Sequence, residues 1–203
     1  MNPEVEPLAR ADVGAAALVL ARAFRDNPGM LVLFKGDAPE VRLRLLVPCM
    51  VGFTETVLRF GFAEVVKIDG EIVAVSLSFA PGRFPPPFRS QFTMAKGPMR
   101  AGLTRALRFA RIDQEMRRRH PHYRHWYLWF LGVEPAQQGQ GLGSMLLKTL
   151  SERARRDDVP CYLETDKQSS VRLYEKHGYK VENEEVLDGI ELKLWFMKRR
   201  SEA

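Results

Sequence analysis

The residues with most chemistry to offer lie in Gln138-Gly139-Gln140-Gly141-Leu142-Gly143-Ser144. A side chain at Gly139, Gly141 or Gly143 would hold an incoming oxyanion away from the backbone. Without one, successive N–H groups can converge on a phosphate. If a helix starts here, its positive end adds to that attraction. The chemistry on offer is therefore anion binding. Glycines before a helix more often make only a turn, so neighbouring residues must decide.

Those glycines need a strand before them and a helix after them. Trp126 to Val133 is an apolar, aromatic and β-branched run of strand length, ended by Pro135. Downstream, Leu142, Met145, Leu146, Thr149, Leu150 and Arg153 recur at helical spacing as a mostly apolar stripe. The unit is strand, glycine turn, helix. It is not a P-loop, because no Lys-Ser or Lys-Thr follows the glycines. A dinucleotide fingerprint is a closer rival: Gly139 and Gly141 are spaced for it, and Glu164 lies about twenty residues on, where a ribose-binding acid would stand. It fits poorly. Ser144 takes the third glycine's place, and Glu134 to Gln138 separates strand from glycines where that turn is tight.

Gln138-x-x-Gly141-x-Gly143, behind a strand ending Gly132-Val133-Glu134-Pro135, is followed about thirty residues later by Leu173-Tyr174-Glu175-Lys176-His177-Gly178-Tyr179. This combination resembles the GNAT (Gcn5-related N-acetyltransferase) superfamily. With Leu163-Glu164-Thr165 ending a strand ten residues before the tyrosine, the layout is most similar to puromycin N-acetyltransferase and its relatives. The resemblance is strong from about Phe62 to Arg199 and general before it. It implies an α/β (α+β) fold, with a mixed, mostly antiparallel sheet of about seven strands flanked by helices. It further implies that the sheet splays at the strand ending Val133, and that coenzyme A inserts there with its pantetheine bonding like an extra strand along Leu131–Val133. The Val133 N–H would then face the thioester carbonyl and stabilise developing negative charge. The N–H groups of Gly139, Gln140, Gly141, Leu142, Gly143 and Ser144 would hold the pyrophosphate, with Gln138 offering its backbone or only a solvated side chain. The sequence departs from the family at Asp166-Lys167-Gln168-Ser169-Ser170, where a common pattern has Asn; Ser170 could substitute.

Acetyl transfer to nitrogen needs a neutral amine. A lysine-like amine is neutral roughly once in two thousand molecules at pH 7, an α-amine about one time in ten. A general base is worth on the order of 10²–10⁴-fold. Glu164, at a buried strand end beside the expected cleft, matches the glutamate that serves some relatives as base, directly or through water; the plain alternative is a structural ion pair. Glu134 is the second candidate. Tyr174 matches the family's general-acid tyrosine, and a phenol with a pKa near 10 can hand its proton to a departing thiolate. The reading is an acetyl-CoA-dependent N-acetyltransferase acting on a primary amine of a small molecule or a protein N-terminus. A non-catalytic acyl-CoA sensor is the alternative.

Length and composition agree. At 203 residues with 45% hydrophobic content the chain fits one acetyltransferase domain over 1–203. No leader pattern and no run of eighteen apolar residues is present, so the expectation is a soluble, cytoplasmic protein without a membrane partner. Cys49 and Cys161 sit in apolar surroundings and read as buried thiols. The charge of +6 indicates a preference for anions, for which coenzyme A is enough. Arg105, Arg108, Arg111 and Arg117 to Arg119 lie on an expected helix from Leu103 to Arg119 as a solvated face, and nucleic acid is not the expected partner. His120, His122 and His125 lack nearby cysteines or a suitable carboxylate, and no metal is expected. A homodimer stays open.

Earlier in the chain, Val5 to Leu8 reads as a strand and Asp12 as the cap of a helix to Phe24. A helix from Pro39 to Val57 should kink or break at Pro48. A hairpin turns at Asp69-Gly70, and another around Asp188-Gly189 joins the last two strands. Proline-rich Pro81 to Pro98 reads as a loop; the family resemblance implies a wall of the acceptor pocket, the alternative being a plain surface connection, and Phe84–Phe92, Trp126, Trp129 and Phe130 are the pocket's aromatic candidates.

Overall fold

The computed structural model describes residues 3–187 and 189–201. They form a seven-stranded sheet of order β1-β2-β3-β4-β5-β7-β6. Its strands are β1 (Val5–Pro7), β2 (Phe62–Ile68), β3 (Glu71–Phe79), β4 (Trp126–Val133), β5 (Cys161–Thr165), β6 (Lys180–Leu187) and β7 (Leu192–Arg199). Every pairing is antiparallel except β4 with β5. One face carries helices α1 (Val13–Phe24), α2 (Pro28–Leu33), α3 (Pro39–Phe60), α4 (Phe88–Arg100) and α5 (Leu103–Arg119). The other carries α6 (Leu142–Arg156) and α7 (Gln168–Lys176). This is the mixed sheet flanked by helices that the family resemblance implied.

The local signals explain most boundaries. Pro28 and Pro39 each open a helix at its first position, where a missing N–H costs nothing. Gly70 with φ 82° and Asp69 with φ 50° make the left-handed turn of the first hairpin. In the second hairpin Gly189 has φ 66°, while Asp188 lies outside the described residues. β6, the sheet edge, is almost wholly exposed and rich in charge, which keeps it from pairing with another chain. Among the described residues no helix is long and apolar enough to cross a membrane.

Two expectations are corrected and one is narrowed. Asp12 precedes α1 but makes no side-chain cap; its carboxylate instead accepts from Lys67 Nζ at 3.0 Å. α3 runs past Pro48 as one helix, so of the two alternatives there, kink or break, the break does not occur. The stretch from Pro81 to Pro98 is not all loop, because α4 starts at Phe88. Pro85, Pro86 and Pro87 all fall before that helix and Pro98 falls in its last turn, so none blocks its middle. α4 is held by close backbone approach to α3: a Cβ on Gly97 would stand 2.4 Å from Cys49 Cα, and one on Gly52 2.7 Å from the Thr93 carbonyl oxygen.

The basic residues of α5 are partnered rather than simply solvated. Arg105 is bound bidentately by Asp37, Arg117 by Asp113, and Arg119 by Glu115 and Glu185. Cys49 and Cys161 are buried free thiols, pushed up by burial to about 12 and about 11.

Candidate active site

The glycine turn closes β4 into α6 through a short 3-10 turn at Pro135–Gln137. Gly139 and Gly141 both have φ 82°, a conformation that a Cβ disfavours, and open space lies where their Cβ atoms would be. Gly141 caps α6 without a side chain, and the first intrahelical bond runs from Met145 N–H to the Gly141 carbonyl at 3.1 Å. The N–H groups of Leu142, Gly143 and Ser144 therefore precede the ladder and point from the helix's positive end. Gly139, Gly141, Leu142, Gly143 and Ser144 line a cavity of about 640 Å³. Gln138 lines it too, its Nε2 donating to the Val133 carbonyl at 3.2 Å. Gln140 is absent from that lining; its side chain donates to Gln137 Oε1 at 2.8 Å. Ser144 Oγ is hydrogen-bonded to His177 Nε2 at 2.8 Å, which ties α6 to the end of α7.

The cavity continues along an open strand edge. β4 pairs with β3 as far as Val133, but with β5 only at Trp126↔Cys161, Tyr127↔Tyr162 and Leu128↔Leu163. Beyond Leu128 the two parallel strands part. The Glu134 N–H bonds the Val73 carbonyl on the β3 side at 2.8 Å. Successive N–H groups of a strand alternate sides, so those of Val133 and Leu131 point into the gap.

Across the gap stand the residues of β5 and α7. Tyr174 is buried to 8% exposure and lines the cavity. Burial first, and the Asp166 charge second, hold its phenol above the ordinary range, so it keeps its proton. Asp166 also lines the cavity and accepts from the Gly29 N–H at 2.7 Å; burial raises it above the usual carboxylate value despite that bond. Ser170 lines the same wall from the first turn of α7. Glu164 lines the inner end, its Oε1 3.7 Å from His120 Nδ1. Glu134 turns away, paired with Arg22 at 3.3 Å.

A model of the Acetyltransferase (GNAT) family matches residues 53–179, more than half of the chain. The chain belongs to the GNAT acetyltransferase family. Among solved structures this GNAT chain is similar to the histone acetyltransferase HPA2 and related acetyltransferase of Corynebacterium glutamicum, with TM-score 0.72 and 24% identity over 100% of this chain and 98% of that one. It is also similar to arylalkylamine N-acetyltransferase 2 of Aedes aegypti, with TM-score 0.66 and 14% identity over the full length of both. These likenesses are of fold. Among curated proteins it is similar to mycothiol acetyltransferase of Brachybacterium faecium, 34% identical over 62 residues, or 29% of this chain and 19% of that protein. The match spans about a fifth of that relative's length.

In this GNAT chain the far end of the cavity is an aromatic chamber. Phe53 of α3 stacks on Phe130 at 5.6 Å and on Phe109 of α5 at 5.6 Å, and meets Trp129 at 5.1 Å. Consecutive residues of a regular strand face opposite ways, so Trp129 and Phe130 could not both reach Phe53 from one. The register shift between Leu77 and Ser78 leaves Trp129 as an extra residue in β4, a bulge that turns both rings to the same side. Phe84 joins the chamber, whereas Phe88 and Phe92 stand outside, 77% and 67% exposed. Trp126 faces away, its Nε1 donating to Asp157 at 2.8 Å. Sequence reasoning missed His120 and Asp166 as lining residues. His120 closes α5 against Phe84 and Tyr127, each at 4.7 Å, and its nearness to the LET strand end follows only from topology.

Proposed function

We propose that this protein is an acetyl-CoA-dependent N-acetyltransferase whose acceptor is a primary amine carried on a bulky, apolar body. One observation carries the reading: a single cavity runs from the glycine turn, past the open β4 edge, to Glu164 and the aromatic chamber. An anionic cosubstrate and an apolar acceptor thus have adjoining compartments. The left-handed glycines and the free first turn of α6 suit a pyrophosphate, and the Leu131 and Val133 N–H groups suit an extended amide-bearing arm. Acetyl-CoA supplies the acetyl group already activated as a thioester.

The chain's residues then act in turn. The Val133 N–H stabilises negative charge developing on the thioester oxygen. Glu164 takes a proton from the acceptor nitrogen, a requirement for any amine that is mostly protonated at neutral pH. Tyr174 gives its proton to the departing thiolate; its raised proton affinity keeps the phenol loaded but the thiolate must approach closely to draw on it. Phe53, Trp129 and Phe130 favour an aromatic or branched apolar acceptor. The name of the structurally similar arylalkylamine enzyme points the same way.

The test is thiol release from acetyl-CoA over a panel of arylalkylamines, puromycin, aminoglycosides, polyamines and peptides with free N-termini, with Tyr174→Phe alongside. Turnover of an apolar amine, lowered on the order of 10²-fold in the variant, is expected. Turnover of none, while acetyl-CoA still raises the Tm, would replace this reading with that of an acyl-CoA sensor.

A further inference from the structure

At the acceptor end of the cavity a chain of polar atoms leads away from Glu164. His120 Nδ1 lies 3.7 Å from Glu164 Oε1, His120 Nε2 lies 3.2 Å from His125 Nε2, and His125 Nδ1 lies 2.6 Å from the Tyr123 carbonyl oxygen. The roles along this chain are determined from its far end. A carbonyl oxygen only accepts, so His125 must carry its proton on Nδ1. Burial lowers His125 to about 4, so it is neutral and its Nε2 is a lone pair. His120 must then donate from Nε2. A neutral His120 consequently presents a second lone pair, at Nδ1, to Glu164. That carboxylate oxygen has no hydrogen-bond partner, and the Glu164 and His120 side chains are only 4% and 12% exposed.

An ionised carboxylate facing an imidazole lone pair in a buried site is one proton short of a hydrogen bond. We propose that Glu164 and His120 form a proton-holding pair, which receives the proton lost by the acceptor nitrogen and shares it between Glu164 Oε1 and His120 Nδ1. The inference rests on the acetyl-transfer reading above. In the step, an N–H bond of the acceptor breaks, its electron pair stays on nitrogen, and the proton arrives on the carboxylate. There it fills the space before Nδ1 and becomes an O–H···N or an N–H···O bond. Glu164 meets the amine; His120 acts through Glu164 and is a positioning residue.

The other groups facing the pair do not take that proton. Tyr127 of β4 and Tyr162 of β5 are phenols that burial, then the Glu164 charge, then hydrogen bonding to that carboxylate push further up, so both keep their protons and neither becomes a base. Asp113 of α5, which also lines the cavity, is bonded to Arg117 at 2.7 Å. Behind His125, Glu182 of β6 is held by Lys198 of β7 at 3.3 Å and accepts from the Tyr123 hydroxyl at 3.3 Å. Phe84 packs on the His120 ring and contributes no charge.

Two measurements test this. Histidine-selective ¹⁵N NMR of the wild-type protein needs no substrate and no variant. The expected result is an Nδ1–H tautomer for His125 and an Nε2–H tautomer for His120. The second is the pH profile of kcat/KM for acetyl transfer. His120→Gln places an amide donor against the carboxylate and lowers its proton affinity. The acidic limb should move down by about one pH unit or more, a tenfold change in proton affinity per unit, with kcat reduced and KM for the amine little changed. An Nδ1–H tautomer for His120, or a His120→Gln profile that superimposes on the wild type, would each overturn the proposal. Absence of turnover with every amine would overturn the transfer reading alone, because the tautomers are observed without substrate.

Discussion

Gly97→Ala tests the seat of α4 on α3. A Cβ at position 97 would stand 2.4 Å from Cys49 Cα, 2.5 Å from Cys49 N and 2.8 Å from the Pro48 carbonyl carbon. Carbon atoms in contact settle at about 3.5–4.0 Å, so the helices would have to part by roughly 1 Å or more. Every one of those atoms is backbone and cannot swing aside. Overpacking of this kind costs about 1–3 kcal/mol, and more where nothing yields. Helix propensity acts the other way, favouring alanine by about 1 kcal/mol. The steric cost prevails, since relief requires shifting α4 as a body and disturbs the second close approach, of Gly52 to the Thr93 carbonyl. We expect a net loss of about 2 kcal/mol, a fall in Tm of roughly 4–8 °C for a chain of this size. Gly14→Ala in α1 is the matched control: nothing lies within 4 Å of its Cβ, and it should gain up to about 1 kcal/mol. Thermal unfolding followed by circular dichroism, with amide exchange over 88–100, gives both numbers. A Gly97→Ala protein as stable as Gly14→Ala, with exchange over 88–100 unchanged, would refute the packing argument.

Arg153→Met would leave Glu64, whose side chain is 5% exposed, without the guanidinium bound at 2.7 Å, costing about 3–5 kcal/mol at neutral pH. Burial already raises Glu64 above its ordinary 4.5, so this group's contribution is present below 4.5 and lost as pH rises through the folded value; denaturant melts at pH 4 and 7 should show the smaller deficit at pH 4. Asp166 is likewise raised above 3.8 by burial, so wild type loses stability relative to Asp166→Asn as pH climbs above about 4. Parallel Tm–pH curves for the two would show that the charge at position 166 has no such linkage. Gly141→Ala forces a Cβ onto φ 82° and should cost about 1–2 kcal/mol while weakening the rise in Tm that acetyl-CoA produces; an unchanged rise would separate the glycine turn from cosubstrate binding.

What was legible in the sequence is what short-range physics determines. The run Trp126–Val133, the glycines and the apolar stripe of α6 each carry their own periodicity or turn chemistry, and α5 spans Leu103–Arg119 as its pattern predicts. α4 was hidden because five prolines between positions 81 and 98 dominate the composition of its surroundings, although their positions leave its middle free. Its real determinant is a contact between Gly97 and Cys49 across the α3–α4 interface, which no window of sequence contains. Asp12 reads as a cap by position, but Lys67, distant in the chain, offers its carboxylate an ammonium. The site divides in the same way. Tyr174, Glu164 and the glycine turn, which the family resemblance singled out, line one cavity, whereas His120 reaches Glu164, and Gly29 reaches Asp166, only because the sheet order brings separate loops together. The bulge at Trp129 reverses the facing that simple alternation would assign to part of the chamber.

The three residue pairs between β4 and β5 have a mechanical consequence. Strands β1 to β4 form one plate and β5, β7 and β6 another, and along their common border the ladder stops after Leu128. The molecule is two well-knit leaves with a half-sewn spine. A ligand arm lying against Leu131 and Val133 would supply the missing stitches, so occupancy and cohesion of the two leaves rise together. Each tenfold excess of such a ligand over its Kd adds about 1.4 kcal/mol to the folded state. The melting temperature of this protein is then a gauge of how far its spine has been closed.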